Sequence, residues 1–591
     1  MLTAIGVLWS LAAESKRATF IGHVLVAIAG VLAALALALG LRPLINGIYA
    51  RDLGETAVGG IVCLAAIIVL VFSPLAQRAF EARNIEMMIK AAEQRILRLT
   101  AGAPGLSQFE DPANWDRLQV LQRSFTDLLM GTFGVFVLPV VAAELIIATV
   151  VLATLAPVLL VLPLIVVPVV WLQGWAQRIA LAADQDSAAD TRVGASLFIL
   201  ATSPRPAAEI RVYGLAGTLL ALHARFTGRA SRRKERAAAA ALAVRASGNL
   251  LLAAAYTAAV VTVLRSALAG HRSPGDVALT LSLAGVLVGA AAVSSQFSAV
   301  IARAVAVARN YRDLADEFRP TGPPSAAGPV APPMHLTEGI RLTDVSFRYP
   351  AGSLALSGIS AALPAGSVVA LVGENGAGKT TLVKLLTRMY EPDSGQILLD
   401  GRDISGYDLD AYRRQLTASF QDYVRFELRA GRSVGVGDLA RLDDEAAVQA
   451  AIAGARAAFA AELPQGLATQ LGSDWEGGVE LSGGQWQKLA IARAMMRDKA
   501  LLTVFDEPTA ALDPQSEYQI FQQVAGHSRA SRAHGHITLL VSHRFSTVRM
   551  ADLILVLAGG TLVEQGSHAE LMTARGLYAE LYTLQARAYA T

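Results

Sequence analysis

The stretch VVALVGENGAGKTTLVKLLT, residues 368–387, decides how the C-terminal part of the chain folds. An apolar run typical of a buried strand leads into a glycine-rich loop at 373–380, and a helical pattern follows. The loop fits G-x-x-x-x-G-K-[ST] in the strand–loop–helix context that gives this pattern its meaning. A glycine-rich turn that happens to precede a lysine is the alternative, and the flanking strand and helix disfavour it. The stretch therefore predicts a phosphate-binding loop.

The residue types of this loop suit a nucleotide with its metal ion. The glycines let backbone N–H groups curl around phosphate oxygens, and the helix N-terminus adds positive potential. We expect Lys379 to reach the β- and γ-phosphates and Thr380 to place its hydroxyl on Mg²⁺. The predicted nucleotide-binding residues of the loop and the first helical turn are Gly373, Glu374, Asn375, Gly376, Ala377, Gly378, Lys379, Thr380 and Thr381.

Two further strand-like runs end in residues with catalytic potential. LLTVFDE, residues 501–507, ends in Asp506, which is positioned to hold Mg²⁺ directly or through water, and in Glu507. Glu507 would polarise the attacking water as a general base. ITLLVSH ends at His543, a candidate contact for the γ-phosphate. Taken alone, a capped surface histidine is the more common explanation.

A glutamine and a tyrosine complete the candidate site. Gln421, in ASFQDYVRF, follows another strand and is a candidate for binding Mg²⁺ and water. Tyr349, in VSFRYP, offers an aromatic platform on which an adenine could stack. The alternative for Tyr349 is a core aromatic, which would be favoured if the other motifs were absent.

Apolar runs dominate the chain up to about residue 320. The 591 residues are 53% hydrophobic and 17% charged, against roughly one quarter charged in typical soluble proteins. Mean hydropathy is +0.44. The net charge of +3 is too small to indicate nucleic acid binding. Measured against the ~20 residues that cross a bilayer, the runs predict six spans, at about 19–41, 56–75, 130–153, 157–175, 248–270 and 277–300.

Basic residues set the predicted orientation of these spans. Arginine and lysine are concentrated at 77–127 and 221–247, whereas the connections on the other side are short and carry few of them. Both termini and both long connections are therefore predicted to be cytoplasmic. Each long connection contains a turn-rich break, at 103–116 and at 202–214. An ordinary helix–helix turn is one explanation of these breaks, and a pair of contact elements for the following domain is the other.

Two other features concern the ends of the membrane domain and its interior. Residues 319–336 are rich in proline, with glycine and serine, and are predicted to be a linker between a membrane domain at 1–318 and an α/β domain at 337–591. Glu144 falls in the middle of a span, in VLPVVAAELIIA, and an intramembrane carboxylate is a functional candidate. It could lie on the substrate pathway and contact a cationic substrate, or it could be a packing residue hydrogen-bonded between helices.

The C-terminal domain closely resembles the nucleotide-binding domain of ATP-binding cassette (ABC) proteins, over roughly residues 338–585. The family's motifs occur here in its order and spacing: the loop at 373–380, Gln421, LSGGQ at 481–485, Asp506-Glu507, AALD at 510–513 and His543. With six spans upstream, the chain resembles a half-size ABC exporter of the type IV fold. The resemblance implies a multidomain protein, with an all-α six-helix transmembrane domain and an α/β P-loop NTPase domain, and with ATP and Mg²⁺ as cofactors.

The resemblance also gives LSGGQ a role, although the motif contains no acid, base or metal ligand. In ABC proteins this motif faces ATP held by a second domain. Ser482, the amides of Gly483 and Gly484, and Gln485 are thus implied to contact that nucleotide, with the helix dipole behind them. Asp513 resembles the residue that links the two sites. Intact Glu507, LSGGQ and His543 fit a homodimer with two competent sites, and a heterodimer with a degenerate partner stays open.

The implied function is ATP-driven export, by alternating access, of an amphipathic substrate: a peptide or natural product, a lipid or a drug-like molecule. The implied location is the plasma (bacterial inner) membrane, with multiple spans and a cytoplasmic nucleotide-binding domain. The breaks near 103–116 and 202–214 then correspond to coupling helices. The expected partners are a second half-transporter, the lipid bilayer and the exported substrate, with no nucleic acid. An importer of the same fold and a regulatory subunit of an obligate heterodimer are the alternatives, whereas six spans contradict a soluble ABC ATPase.

Overall fold

Long apolar helices form the N-terminal unit of the structure, a computed structural model that describes residues 17–155, 157–204, 206–318, 330–350, 352, 354–507, 519–520, 522–523, 526, 534–542 and 548–590. The helices up to residue 318 are α1 (Arg17–Ala50), α2 (Leu53–Ala101), the short α3 (Ser107–Glu110), α4 (Pro112–Leu155), α5 (Val161–Asp186), α6 (Ala188–Thr202), α7 (Ala207–Val212), α8 (Ala216–Leu268) and α9 (Pro274–Glu317), with a 3-10 turn at Pro157–Leu160.

Six of the described helices are long and apolar enough to cross a membrane: α1, α2, the Phe133–Leu155 part of α4, α5, α8 and α9. The predicted all-α domain with six apolar helices is therefore confirmed. The helices run well past the apolar stretches read from the sequence. α2, for example, continues to Ala101. Beyond its apolar part the side chains are polar, but the helix can continue because its backbone hydrogen bonds are made within the helix itself.

Small residues and caps hold the ends of these helices together. Asp52 caps α2 by accepting hydrogen bonds from the backbone N–H groups of Gly54 (2.8 Å) and Glu55 (3.3 Å). A Cβ at Gly59 would lie 2.3 Å from the backbone nitrogen of Leu44, so glycine allows α1 and α2 to approach closely. At the start of α9, Asp276 closes a capping box with Ser273 and also pairs with Arg42, 2.8 Å away.

The second unit comprises Ala103–Pro112 together with the chain from Arg319 onwards. Its described helices and strands are β1 (Gly339–Arg348), β2 (Leu354–Pro364), β3 (Val368–Gly373), α10 (Lys379–Leu386), β4 (Ser394–Leu399), β5 (Arg402–Asp403), α11 (Leu409–Arg414), β6 (Leu416–Ser419), α12 (Ala430–Gly435), α13 (Glu445–Gly454), α14 (Gly483–Ala494), β7 (Leu502–Asp506), β8 (Ile537–Val541), β9 (Leu553–Ala558), β10 (Thr561–Gly566), α15 (His568–Ala574) and α16 (Leu577–Ala590).

The strands form two sheets, and the larger one positions the candidate site. Its order is β10-β9-β3-β8-β7-β6, parallel except for the edge strand β10. The smaller sheet, β2-β1-β4-β5, is antiparallel. Successive residues of β3 enter two different hydrophobic cores, with Val368 and Ala370 on one side and Val369 and Leu371 on the other. Burial on both faces explains why the strand is a continuous apolar run. The predicted α/β P-loop NTPase fold is confirmed.

The chain enters this unit through residues that the sequence assigned to a linker. Residues 319–329 of the predicted linker lie outside the described ranges. Val330 bridges to Tyr407, and Leu336 is buried, with its backbone N–H donating to the carbonyl of His534 (3.3 Å). The end of the predicted linker is therefore packed into the second unit.

Candidate functional site

A cavity of about 1080 Å³ opens where β3 runs into the predicted phosphate-binding loop. Of the nine residues predicted from the loop and the first helical turn, eight line it, and Ala377 is instead buried in the core. The eight lining residues are Gly373, Glu374, Asn375, Gly376, Gly378, Lys379, Thr380 and Thr381. Because they follow a central parallel strand, the cavity lies at the carboxyl edge of the sheet, where ligands of α/β proteins bind.

The backbone of this loop requires glycine at two positions. Gly378 has φ of +99°, and a Cβ there would lie 2.6 Å from Leu356 Cδ2. At Gly373 a Cβ would lie 2.2 Å from the carbonyl oxygen of Leu557. A side chain at either position would push the loop away from the neighbouring strands. The loop can therefore keep its concave shape, with the N-terminus of α10 directed at the cavity.

The ammonium group of Lys379 is hydrogen-bonded to backbone carbonyl groups of this loop. The side chain is buried, and Nζ donates hydrogen bonds to the carbonyl oxygens of Gly373 (2.9 Å) and Glu374 (3.0 Å). Bonds from an ammonium to anionic phosphate oxygens are stronger than bonds to neutral carbonyls. We therefore expect the lysine to exchange these carbonyls for phosphate oxygens when a nucleotide binds.

Three oxygen-bearing side chains in and beside the cavity are of the kind that binds Mg²⁺. Asp506, at the end of β7, is 1% exposed, and neither carboxylate oxygen accepts a hydrogen bond of good geometry from a described residue. Burial raises the pKa of Asp506 to about 6, an effect that the nearby Thr380 hydroxyl opposes. Thr380 and Gln421 line the cavity. Hard oxygen donors beside a phosphate site suit Mg²⁺, so these residues fit the ion.

Glu507, which also lines the cavity, has an unusual backbone conformation. Its φ is +45°, in the left-handed region, which costs a non-glycine residue about 1–2 kcal/mol. The hydrogen bond from its N–H to the carbonyl of Val541 (3.0 Å) holds the backbone there. Strain retained in this way is characteristic of functional positions. With this backbone conformation at the end of β7, Asp506 is buried while Glu507 lines the cavity.

Tyr349 lies at the edge of the cavity and is also packed against other aromatic rings. It lines the cavity, and it also packs edge-on against Phe347 and Tyr390, with ring centroids 5.0 and 5.5 Å away. Its hydroxyl is hydrogen-bonded to that of Thr381 (3.1 Å). Lys384 Nζ lies 5.4 Å from the centroid of its ring. The ring is therefore fixed in place at the edge of the cavity.

Three further predicted residues are not among the described residues that line this cavity, for different reasons. His543 and Asp513 lie outside the described residues, so their roles stay predictions. Glu144 lies on α4, where it lines a separate cavity in the N-terminal unit.

The LSGGQ residues lie apart from the cavity of their own chain, since none is among the described residues that line it. Ser482 is the N-cap of α14: its Oγ accepts from the N–H of Gln485 (3.3 Å), and the Gln485 side chain accepts from the N–H of Ser482 (2.9 Å). A Cβ at Gly483 would meet no atom within 4 Å. The helix therefore begins at an open face, where the helix dipole favours negative charge.

The segment after Gln421 contacts this helix, and the sequence did not predict these contacts. The Tyr423 hydroxyl donates to the carbonyl of Gly483 (3.0 Å). From the other end of the helix, Arg493 donates to the carbonyl of Val424 (3.2 Å), and its guanidinium lies 4.4 Å from the Phe426 ring centroid. Burial lowers the pKa of Arg493 to about 10. The segment that follows Gln421 is therefore connected to the LSGGQ helix.

The segment 103–112, which belongs to the same unit, contacts α10 and the residues that follow it, as expected if the break at 103–116 is a contact element for the following domain, although the sequence did not identify the residue pairs. Glu110 pairs with Lys384, 3.2 Å away, and the N–H of Leu106 donates to the carbonyl of Met389 (3.2 Å). Because Lys384 also contacts the Tyr349 ring, the edge of the cavity is connected to this segment.

Three C-terminal residues on α16, Leu581, Leu584 and Gln585, line the cavity as well. They carry no motif by which the sequence could have identified them.

Comparison with known proteins places this geometry in context. Residues 356–510 match the protein family described as "ABC transporter". A solved structure of a bacterial Atm1-family ABC exporter with ATP bound matches 96% of this chain and 99% of its own, with a TM-score of 0.76 and 24% sequence identity. Similarity at this level of identity establishes the fold, a helical membrane domain followed by an ABC ATPase domain.

Curated relatives include several proteins named ATP-dependent lipid A-core flippase. That of Aromatoleum aromaticum is 39% identical over 330 residues, which cover 56% of this chain and 53% of the relative. That of Alcanivorax borkumensis is 41% identical over 240 residues, covering 41% and 40%. That of Xanthomonas campestris pv. campestris is 34% identical over 382 residues, covering 64% and 62%. The chain spans about half the length of the curated relatives it matches.

Proposed function

We propose that this chain, which carries an ABC transporter domain on the fold of an ABC exporter, hydrolyses ATP to export an amphipathic substrate across the bacterial inner membrane. The observation that carries the proposal is the convergence of the phosphate-binding loop, Gln421, Glu507 and Tyr349 on one cavity, with the buried Asp506 beside it. The curated relatives are ATP-dependent flippases by name, which supports a lipid-like or otherwise amphipathic substrate.

The side chains of this cavity suit hydrolysis of the terminal phosphate. In the proposal, the loop amides and Lys379 hold the β- and γ-phosphates, and Tyr349 stacks on the adenine. Thr380, Gln421 and Asp506 would hold Mg²⁺, which neutralises phosphate charge when bound. Glu507 accepts a proton from a water molecule as that water attacks the γ-phosphorus. The bond to the β-phosphate oxygen breaks, and ADP and inorganic phosphate are the products.

A second copy of the chain would complete each site. The open N-terminus of α14 is not part of its own chain's cavity, so its anion would be the γ-phosphate held by the partner. We propose a homodimer with two such sites. A heterodimer would serve equally if its other subunit supplied the same groups.

Movement would leave the ATPase domain through residues 103–112. This segment packs with the ATPase domain and is joined in sequence to α2 on one side and α4 on the other. The chain of contacts from Tyr349 through Lys384 to Glu110 would report nucleotide binding to it. For ATP binding to drive the change between the two access states of the transporter, those two states must differ in their affinity for ATP.

The function is tested by measuring phosphate release from the full-length chain, purified alone into lipid nanodiscs. We expect basal ATP turnover that an amphipathic compound stimulates, so the assay is repeated with peptides, lipids and amphiphilic cations. No turnover from chains that still bind ATP would contradict the homodimer. No turnover together with no ATP binding would contradict the ATPase itself.

Replacing Tyr349 with alanine is expected to weaken ATP binding by roughly tenfold, because stacking on an aromatic ring contributes about 1–3 kcal/mol per base. Tyr349→Phe is the matched control, since it keeps the ring and loses only the hydrogen bond to Thr381. We expect its affinity to stay close to that of the unchanged chain. Both affinities are measured with a fluorescent ATP analogue. Equal affinity in the alanine variant would show that the ring is only a core residue.

A further inference from the structure

The N-terminal unit contains a cavity of about 630 Å³ bounded by α1, α2, α4 and α9. Most of its wall is apolar, including Val31, Val137, Val140, Val286 and Phe297. Pockets for drug-sized ligands have volumes of roughly 300–1,000 Å³ and predominantly apolar walls. The cavity is therefore large enough for the apolar body of an amphiphile.

A few polar groups interrupt this wall, and two of them, Glu144 and His23, are buried. Glu144 is 7% exposed and makes no hydrogen bond or ion pair with a described residue. His23 is 8% exposed, its Nδ1 has no hydrogen-bond partner among the described residues, and its ring lies 4.5 Å from that of Phe133. Glu81 lines the same cavity and acts electrostatically on His23. Gln77 and Ser282 add neutral polar contacts.

The charges of this wall have one sign. Glu81 and Glu144 are carboxylates, and no lysine or arginine is found among the described residues that line the cavity. An isolated carboxylate in apolar surroundings is costly unless a cation approaches it. The rings of Phe133 and Phe297 line the cavity too, and an aromatic face attracts an organic cation. An anionic head group would find no lysine or arginine to pair with among the described lining residues.

We propose that this cavity binds an amphipathic organic cation, with Glu144 and Glu81 as its counter-ions and the apolar wall around its hydrocarbon part. The proposal rests on the proposed export function and narrows its substrate class. Glu144 faces the cationic centre, and the valines of α4 and α9 contact the apolar body. His23, Gln77 and Ser282 can donate or accept hydrogen bonds at its periphery.

Binding of two ions of nearly the same shape tests the proposal. The full-length chain in nanodiscs is titrated with radiolabelled tetraphenylphosphonium, a cation, and with tetraphenylborate, an anion, after subtraction of binding to protein-free discs. We expect saturable binding of the cation alone. Glu144→Gln should weaken cation binding at least about tenfold, as expected for removal of a buried charge partner. Glu81→Gln should weaken it severalfold.

Glu86→Gln is the matched control. Glu86 also lies on α2, but it is exposed, pairs with Lys90 at 2.8 Å and does not line the cavity. Its cation affinity should be unchanged. Saturable binding of both ions alike, or cation binding in Glu144→Gln equal to that of the unchanged chain, would overturn the proposal.

A steric variant keeps the test valid if Glu144→Gln does not fold. A Cβ at Gly289, which lines the cavity on α9, would meet no atom within 4 Å, so a phenylalanine there would fill the space. Gly289→Phe leaves both carboxylates in place and should abolish saturable cation binding, and retained binding would overturn the site. All measurements are made without nucleotide. Cation binding by a chain without ATP turnover would therefore contradict the export function and not the site.

Discussion

Replacing Glu507 with glutamine is expected to reduce ATP turnover by at least about 100-fold, the usual contribution of a positioned general base. The amide has nearly the same shape as the carboxylate, but it cannot accept the proton of the attacking water. The φ of +45° at this position is no costlier for glutamine, so the strand end should keep its conformation. The loop and Lys379 are untouched, so ATP binding should persist. Phosphate release and equilibrium binding of ATP are measured on the same nanodisc sample.

The trapped state gives this prediction a second readout. A chain that binds ATP and cannot cleave it should accumulate as a closed dimer, seen as a shortened distance between spin labels on the two ATPase domains. Glu462→Gln is a suitable control, because Glu462 is an exposed carboxylate of the same domain and does not line the cavity. Turnover by Glu507→Gln at the control rate would show that another group activates the water.

The sequence predicted the parts of the site whose chemistry is local. The loop at 373–380 is fixed by strand, glycines and helix within a single stretch. Asp506 and Glu507 follow directly from the end of a buried strand. Parallel pairing of β3 with β8, and of β8 with β7, then brings these two stretches to one edge of the sheet. A sequence that specifies these strands and their pairing therefore also brings the phosphate-binding loop and Asp506-Glu507 to the same edge of the sheet.

Contacts between distant positions could not be predicted in this way. Glu110 and Lys384 are 274 positions apart, and each is an ordinary charged residue on a helix. The Arg493 side chain donates to the backbone carbonyl of Val424. Every residue has such a carbonyl, so the presence of valine at position 424 does not reveal the contact. The left-handed backbone of Glu507 is likewise invisible in the sequence, because glutamate has no preference for that conformation.

The cavity in the N-terminal unit is likewise lined by one residue that the sequence could identify and by others that it could not. Glu144 interrupts an apolar run and was found for that reason. Glu81 lies beyond the apolar stretch at 56–75 and looked like part of a polar cytoplasmic segment. The structure places it on the same continuous helix, facing the same cavity as His23. Only the packing of α1, α2 and α4 reveals that the three residues line one cavity.

Pairing two inactive variants is expected to restore ATP turnover, if α14 of one copy completes the site of the other. Lys379→Ala removes the ammonium that holds the phosphates. Gly483→Asp adds a carboxylate at the open N-terminus of α14, where it favours the helix but repels the γ-phosphate. A homodimer of either variant has two damaged sites and should be nearly silent.

A mixed dimer should contain one site with both defects and one site with none. The intact site would combine the loop of the Gly483→Asp chain with the LSGGQ helix of the Lys379→Ala chain. Mixed dimers isolated through two different affinity tags should therefore recover about half of the normal turnover if the two sites act independently, as two-fold symmetry allows. If α14 served its own chain, each chain of the mixed dimer would keep its own defect and turnover would stay at the level of the parents. Recovery would thus locate the partner of the LSGGQ helix, and silence in mixed dimers whose Gly483→Asp chain still binds ATP would rule out the contact across the dimer.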